Sequence, residues 1–112
     1  EYESEFMDGA GIVVVAYGSV GRSALRAVRD ARRRGIPVGF FRPITLWPFP
    51  DAELAKMALG ARTIILPELN CGQMVLEVER LFHGRSEVLP LNLVNGELFK
   101  PSEIGRKIEE VA

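Results

Sequence analysis

Ile12-Val13-Val14-Val15-Ala16-Tyr17, closed by Gly18, is an unbroken apolar run rich in β-branched residues. A strand with one wet face alternates apolar and polar residues, so a continuous run reads as a strand buried on both faces, the type found in parallel sheets. Downstream, Ala24, Ala27, Val28 and Ala31 fall at i, i+3, i+4 and i+7, while Arg22, Arg26, Arg29, Arg32 and Arg33 lie mostly off that stripe. With Gly35 as a left-handed stop, this predicts an amphipathic crossover helix. The unit then repeats. Val38-Gly39-Phe40-Phe41 reads as a strand, Asp51 as the N-cap of a short helix through Leu54, Met57 and Ala58, and Thr63-Ile64-Ile65-Leu66 as a strand. Met74, Val75, Val78, Leu81 and Phe82 keep helical period. Val88-Leu89-Pro90-Leu91 is a weaker strand, because Pro90 cannot donate to a ladder and belongs at an edge or bulge. A last helix follows Pro101, with Ile104, Ile108 and Val111 on one face.

Strict alternation with short connections predicts a three-layer α/β/α fold, a mostly parallel, doubly wound sheet of four to five strands. Residues 11–112 form the domain, and residues 1–10 are either a linker or an edge strand.

Composition narrows the function classes. The chain has 112 residues, 14 Lys and Arg against 15 Asp and Glu, and a formal charge of -1. No whole-domain positive field therefore draws it to nucleic acid or anionic lipid. Cys71 is the only cysteine, which excludes an internal disulfide, a four-thiolate zinc site and an iron–sulfur cluster built from this chain alone. No apolar run approaches the ~20 residues that span a bilayer, and the acidic start lacks the basic character of a signal peptide. A reducing, cytoplasmic setting is expected. The first residue is Glu1 and Met7 is internal, so a piece of a longer polypeptide is also expected.

In open α/β sheets ligands gather beyond the carboxyl ends of strands. Tyr17-Gly18-Ser19-Val20-Gly21 looks like a phosphate-cradling turn, but the dinucleotide fingerprint is broken. Ala16 stands where the first glycine is needed, and the second strand ends in Phe41-Arg42-Pro43 with no carboxylate to hold a ribose. The simpler expectation is that Ser19 caps the helix and Gly18 permits the turn, leaving room for a small anion. In Glu68-Leu69-Asn70-Cys71-Gly72-Gln73-Met74, Asn70 and Gln73 fit a capping box. Cys71 is then either a first-turn thiol tuned toward thiolate by the dipole or a small buried hydrophobe.

Arg42 to Pro50 cannot be helical, because each residue before a proline is pushed extended. Its Trp47 and Phe49 either fold back onto the core or form a patch that another subunit covers. His83 is a lone surface residue with no second His for a metal pair, and Arg32-Arg33-Arg34 reads as a solvated run that complements the dipole at its helix end. Phe99 to Ile104 reads as a hydrophobic staple around Pro101 at the first helical position and Glu103 at the third. The candidates for anion or interface contact are thus Gly18, Ser19, Arg42, Trp47, Phe49, Glu68, Asn70, Gly72 and Gln73. No catalytic, cofactor-binding or metal-binding residue is expected.

Four stretches together carry a resemblance: Val15-Ala16-Tyr17-Gly18-Ser19, Arg42 through Pro50, Glu68 through Met74, and Lys100-Pro101-Ser102-Glu103-Ile104. In order and spacing they resemble the α subunit of 2-oxoacid:ferredoxin oxidoreductases, of 2-oxoglutarate type, over residues 12–111. The resemblance implies a transketolase C-terminal-like fold and an enzyme that decarboxylates a 2-oxoacid with thiamine diphosphate and Mg, passes the acyl group to coenzyme A and reduces ferredoxin. It also implies that the thiamine contacts and iron–sulfur clusters come from other domains and the β subunit, leaving this domain an assembly role. Lys100 departs from the Thr-like cap often found there, and Asn95-Gly96-Glu97 is less typical. Two other readings stand beside it: a free-standing ligand-binding module, and a domain of another thiamine enzyme. A phosphoacceptor module needs acids at strand ends, where Tyr17, Arg42 and Leu66 stand instead; a transketolase usually has Gly-Gly where this chain has Cys71-Gly72-Gln73.

Overall fold

The computed structural model describes residues 2–44, 50–68, 73–92 and 100–112. Five strands and four helices occupy them: β1 (Tyr2–Glu5), β2 (Ile12–Val15), α1 (Val20–Arg33), β3 (Val38–Pro43), α2 (Asp51–Met57), β4 (Thr63–Glu68), α3 (Gln73–Phe82), β5 (Glu87–Asn92) and α4 (Pro101–Val111). They form one sheet in the order β1-β3-β2-β4-β5. β2 runs parallel to β3 and β4 on either side, β5 runs parallel to β4, and only β1 is antiparallel. The three-layer, mostly parallel architecture expected from the alternating pattern is the one observed.

The pleat of β2 divides the core in two. Ile12 and Val14 face α1 and α4, where they meet Ala24, Ala27, Val28, Ile104 and Ile108. Val13 and Val15 point the other way, into a cluster with Leu54, Ala58, Val78 and Phe82 of α2 and α3. All four β2 residues are 0% exposed, which is why the run never alternates. Pro90 sits on the outermost strand β5 opposite Leu66, where a missing donor is tolerated.

Helix α1 buries the small-residue stripe Ala24, Ala27, Val28 and Ala31. It ends in a complete Schellman motif: the Gly35 N–H donates to the Arg32 carbonyl (3.0 Å) and the Ile36 N–H to the Ala31 carbonyl (3.1 Å). Only part of its basic end behaves as a solvated run. Arg33 and Arg34 pair with Asp30 and Glu109. Arg32 instead turns inward: its Nε–H donates to the Val38 carbonyl and its Nη2 to the Phe6 carbonyl, both at 2.8 Å, and its guanidinium lies 5.4 Å over the Phe6 ring. It thereby ties α1 to β3 and to the turn after β1, where Phe6 has φ +58°. On the neighbouring surface, Arg29 forks onto the Glu5 carboxylate at 3.0 and 2.6 Å. Hydrogen bonding first and charge attraction second raise its already high pKa.

The cap of α2 differs from the expected one, while α4 begins as expected with Pro101 at the first helical position and Glu103 at the third. Asp51 is the first residue of α2 and not its cap, because the Leu54 N–H already reaches the Pro50 carbonyl (3.1 Å) and so starts the helix one residue earlier. Asp51 still favours the positive helix end and accepts a hydrogen bond from Arg80 on α3 (2.9 Å). At α4, Glu103 accepts from the Lys100 N–H (2.8 Å), one half of a capping box. The reciprocal half fails because a lysine ammonium has no lone pair to accept with. Phe99, the other member of the expected staple, lies outside the described residues.

Replacing Arg32 by Ala leaves two backbone carbonyls without their charged donor, and should cost about 2 kcal/mol in urea unfolding of the chain. Arg33→Ala, which loses only an exposed i,i+3 pair, should stay within about 0.5 kcal/mol.

Candidate functional site

Because β2, β3, β4 and β5 are parallel, their carboxyl ends share one edge of the sheet. From β2 the chain crosses over α1 to β3 on one side; from β3 it crosses back by α2 to β4 on the other. The switch point of such a sheet lies between β2 and β4, where connections diverge to opposite faces and leave a crevice. The turn Tyr17-Gly18-Ser19 stands beside it.

Gly18 has φ +68°, a conformation that a side chain resists, so it plays the turn role read from the sequence. Ser19 does not play the cap role. Its backbone is already helical (φ −65°, ψ −24°) and its side chain makes no capping hydrogen bond. A capping serine needs extended backbone to bring its hydroxyl onto the first free N–H groups. Here the helix entry is closed by backbone alone, the Gly21 N–H donating to the Gly18 carbonyl (3.0 Å) and the Arg22 N–H to that of Ser19 (3.4 Å).

Arg42, near the end of β3, brings a second element to this place. Its stem folds back across the first turn of α1 so closely that a Cβ on Gly21 would stand 2.7 Å from Arg42 Cδ and Nε. Gly21 is therefore the residue that lets an arginine lie there. Antiparallel pairing sets Glu3 of β1 opposite Arg42, and Arg42 Nη1 donates to Glu3 Oε1 at 3.1 Å. The Arg42 Nε–H is buried with no acceptor among the described residues.

Gly18, Ser19 and Arg42 thus line one open cleft of about 700 Å³, bordered by Glu3, Arg22, Arg26, Phe40 and Pro101. Glu68 ends β4 and Gln73 begins α3 on the same edge of the sheet. Trp47, Phe49, Asn70 and Gly72 lie outside the described residues, as do Cys71 and the Asn70 half of the expected capping box. The sequence reading missed Gly21, Glu3, Arg22 and Arg26. Gly21 stood in the quoted turn and was read as part of it; Glu3 had no signal, because its role depends on the register of β1.

The cleft offers guanidinium groups and backbone N–H, which recognise carboxylates and phosphates and do not trade protons near neutrality. Among the described residues no three His, Cys, Asp or Glu side chains gather to hold a metal ion, and no helix is long and apolar enough to cross a membrane. The fold and site define a doubly wound α/β domain with a basic cleft beside its switch point.

Comparison with known proteins places this domain. The family model "Pyruvate:ferredoxin oxidoreductase core domain II" matches residues 10–104, and the chain belongs to that family. It is 43% identical over 108 residues to the 2-oxoglutarate synthase subunit KorA of Methanocaldococcus jannaschii, covering 96% of this chain and 29% of that one. It is 41% identical over 111 residues to the ketoisovalerate oxidoreductase subunit VorB of Methanothermobacter marburgensis, covering 99% of this chain and 31% of that one. The chain therefore spans under a third of these curated relatives.

Among solved structures, the 2-oxoglutarate:ferredoxin oxidoreductase of Magnetococcus marinus, with 2-oxoglutarate, coenzyme A and succinyl-CoA bound, superposes with a TM-score of 0.85. The identity is 23%, over 98% of this chain and 19% of that one. A split-gene transketolase, an inactive β4 tetramer, superposes at 0.76 with 18% identity, over 91% of this chain and 38% of that one. Both likenesses concern the fold, which is of transketolase C-terminal type.

If backbone alone closes the α1 entry, Ser19→Ala should change stability by less than about 0.5 kcal/mol, where a capping serine would lose about 1. Gly18→Ala should cost about 1–2 kcal/mol, because alanine must enter the left-handed region. Urea midpoints of the two variants test both statements.

Proposed function

We propose that this chain is the C-terminal structural and assembly domain of the α subunit of a 2-oxoacid:ferredoxin oxidoreductase acting on 2-oxoglutarate. The whole enzyme would oxidatively decarboxylate the oxoacid, form the acyl-CoA and reduce ferredoxin in the cytoplasm. The observation that carries the reading is the 43% identity to a 2-oxoglutarate synthase subunit across 96% of the chain, within a matched oxidoreductase family.

The residues of this chain do not fit thiamine diphosphate and its Mg ion. The sequence lacks the Gly-Asp-Gly to Asn diphosphate motif, and among the described residues no three His, Cys, Asp or Glu side chains gather to hold the Mg ion that the diphosphate carries. Thiamine diphosphate and the iron–sulfur clusters therefore belong to other domains of the α subunit and to the β subunit. What this domain supplies is a rigid sheet that carries recognition loops at one edge. The sequence alone supports Trp47 and Phe49 as interface anchors, because Pro43, Pro48 and Pro50 around them reduce the chain entropy lost on ordering.

A second reading keeps the domain role and changes the substrate to a branched-chain 2-oxoacid, on the strength of the 41% identity to a ketoisovalerate oxidoreductase subunit. Ferredoxin reduction by the complete enzyme, assayed with 2-oxoglutarate and 2-oxoisovalerate in parallel, separates the two. The proposal expects kcat/KM to favour 2-oxoglutarate; the opposite preference selects the second reading, and no coenzyme A-dependent turnover of either rejects both.

For the assembly role, Trp47→Ala should weaken association of the α subunit with its companions by about 2 kcal/mol or more while leaving the subunit folded. A loss of about 3–5 kcal/mol in subunit stability with unchanged association would make Trp47 a core residue instead. Titration calorimetry of the chain with thiamine diphosphate and Mg should register no stoichiometric heat.

A further inference from the structure

Helix α1 carries cations where its own dipole disfavours them. Arg22 lies in the first turn, which holds no acidic residue, and Arg26 follows at i+4, a like-charge spacing that weakens a helix. Between residues 22 and 34 there are six arginines and one acid, Asp30, so charges that nearly cancel over the whole chain are segregated onto one element. Four of the six have partners: Arg29 with Glu5, Arg33 with Asp30, Arg34 with Glu109, and Arg32 with backbone carbonyls. Arg22 and Arg26 are exposed and form no ion pair with any described residue, and the same holds for Arg106 on α4.

These three arginines flank two adjoining clefts that share Arg26 and Pro101: the one of about 700 Å³ already described, and one of about 870 Å³ between α1 and α4. The second cleft has small residues in its lining, Ala27 and Gly105, both buried. The groove follows α1, a helix of 14 residues and so about 21 Å long. That length exceeds what one small anion fills. The margins also hold Glu3, Asp30 and Glu109, which repel a uniform polyanion yet suit a protein surface of mixed charge.

We propose that the α1–α4 face, through Arg22, Arg26 and Arg106, docks a carboxylate-bearing surface of a companion subunit. The relatives named above are themselves subunits, so partners of this kind exist for them. The proposal rests on the reading of the chain as part of a multisubunit oxidoreductase. Exposed, unpaired arginines of this sort steer an acidic partner and set the salt dependence of association.

The test uses the complete α subunit and its companion subunits, with the dissociation constant measured from about 50 to about 500 mM NaCl, across which screening grows severalfold. Wild-type affinity should fall as salt rises. Arg22→Glu with Arg26→Glu should bind roughly tenfold more weakly or worse at low salt and flatten the salt dependence, Arg22→Gln with Arg26→Gln should fall between, and Arg85→Glu, outside both clefts, should match wild type. Unchanged affinity in both double variants would overturn the proposal. So would a lower unfolding midpoint of the isolated α subunit with unaltered association, since the face would then pack within its own polypeptide. Retention of RNA by the wild-type subunit that the Glu variant abolishes would overturn it in favour of a nucleic-acid occupant. If wild-type subunits fail to associate at any salt, the subunit reading itself falls, independently of the arginines.

Discussion

The burial of β2 on both faces is the constraint from which the other placements follow. Four consecutive side chains with no water on either side require a helical layer above and another below, and parallel neighbours on both flanks. α1 and α4 cover one face; α2 and α3 cover the other. Once β2 is central, the chain must leave it toward β3 and return to β4, and that reversal creates the switch point beside the Gly18 turn. A polar substitution in β2 would therefore strike both cores and the geometry of the edge that carries the Gly18 turn.

The edge itself is organised by an arginine. Arg42 lies over Gly21 and pairs with Glu3, so a side chain of β3 links the first turn of α1 to the outermost strand β1. The link positions charge more than it stabilises the fold, since an ion pair this exposed contributes at most about 1 kcal/mol. Arg32 at the other end of α1 is half-buried and bonds backbone carbonyls, which makes it a structural clamp. At the two ends of α1, arginine therefore serves differently: Arg42 from β3 positions charge at the entry, and Arg32 of the helix itself holds the fold at the exit.

The parts of this design written in local pattern were legible. The β2 run, the alanine stripe of α1 and the misfit of Pro90 all follow from periodicity and covalent geometry, and each is found where those rules put it. Features that depend on tertiary register were not legible. The inward turn of Arg32 requires knowing that the Phe6 and Val38 carbonyls stand beside the end of α1. The Ser19 cap failed because a one-residue difference in where helical backbone begins removes the geometry on which a cap depends. Of the candidate residues, Gly18, Ser19 and Arg42 come together, while Glu68 and Gln73 share only their edge of the sheet. The convergence of three arginines was hidden by a net charge of -1, because composition averages over faces that the fold separates.

Under the proposed function, this domain carries recognition and assembly while the chemistry belongs elsewhere in the enzyme. A structure of the intact enzyme with thiamine diphosphate, Mg and 2-oxoacid bound tests it most directly. In that structure no side chain of residues 1–112 should touch the thiamine ring, the Mg ion or the reacting carbons, and Arg22 and Arg26 should face carboxylates of a companion subunit. A residue of this chain in contact with the reacting atoms, with the α1–α4 face open to solvent, would contradict it.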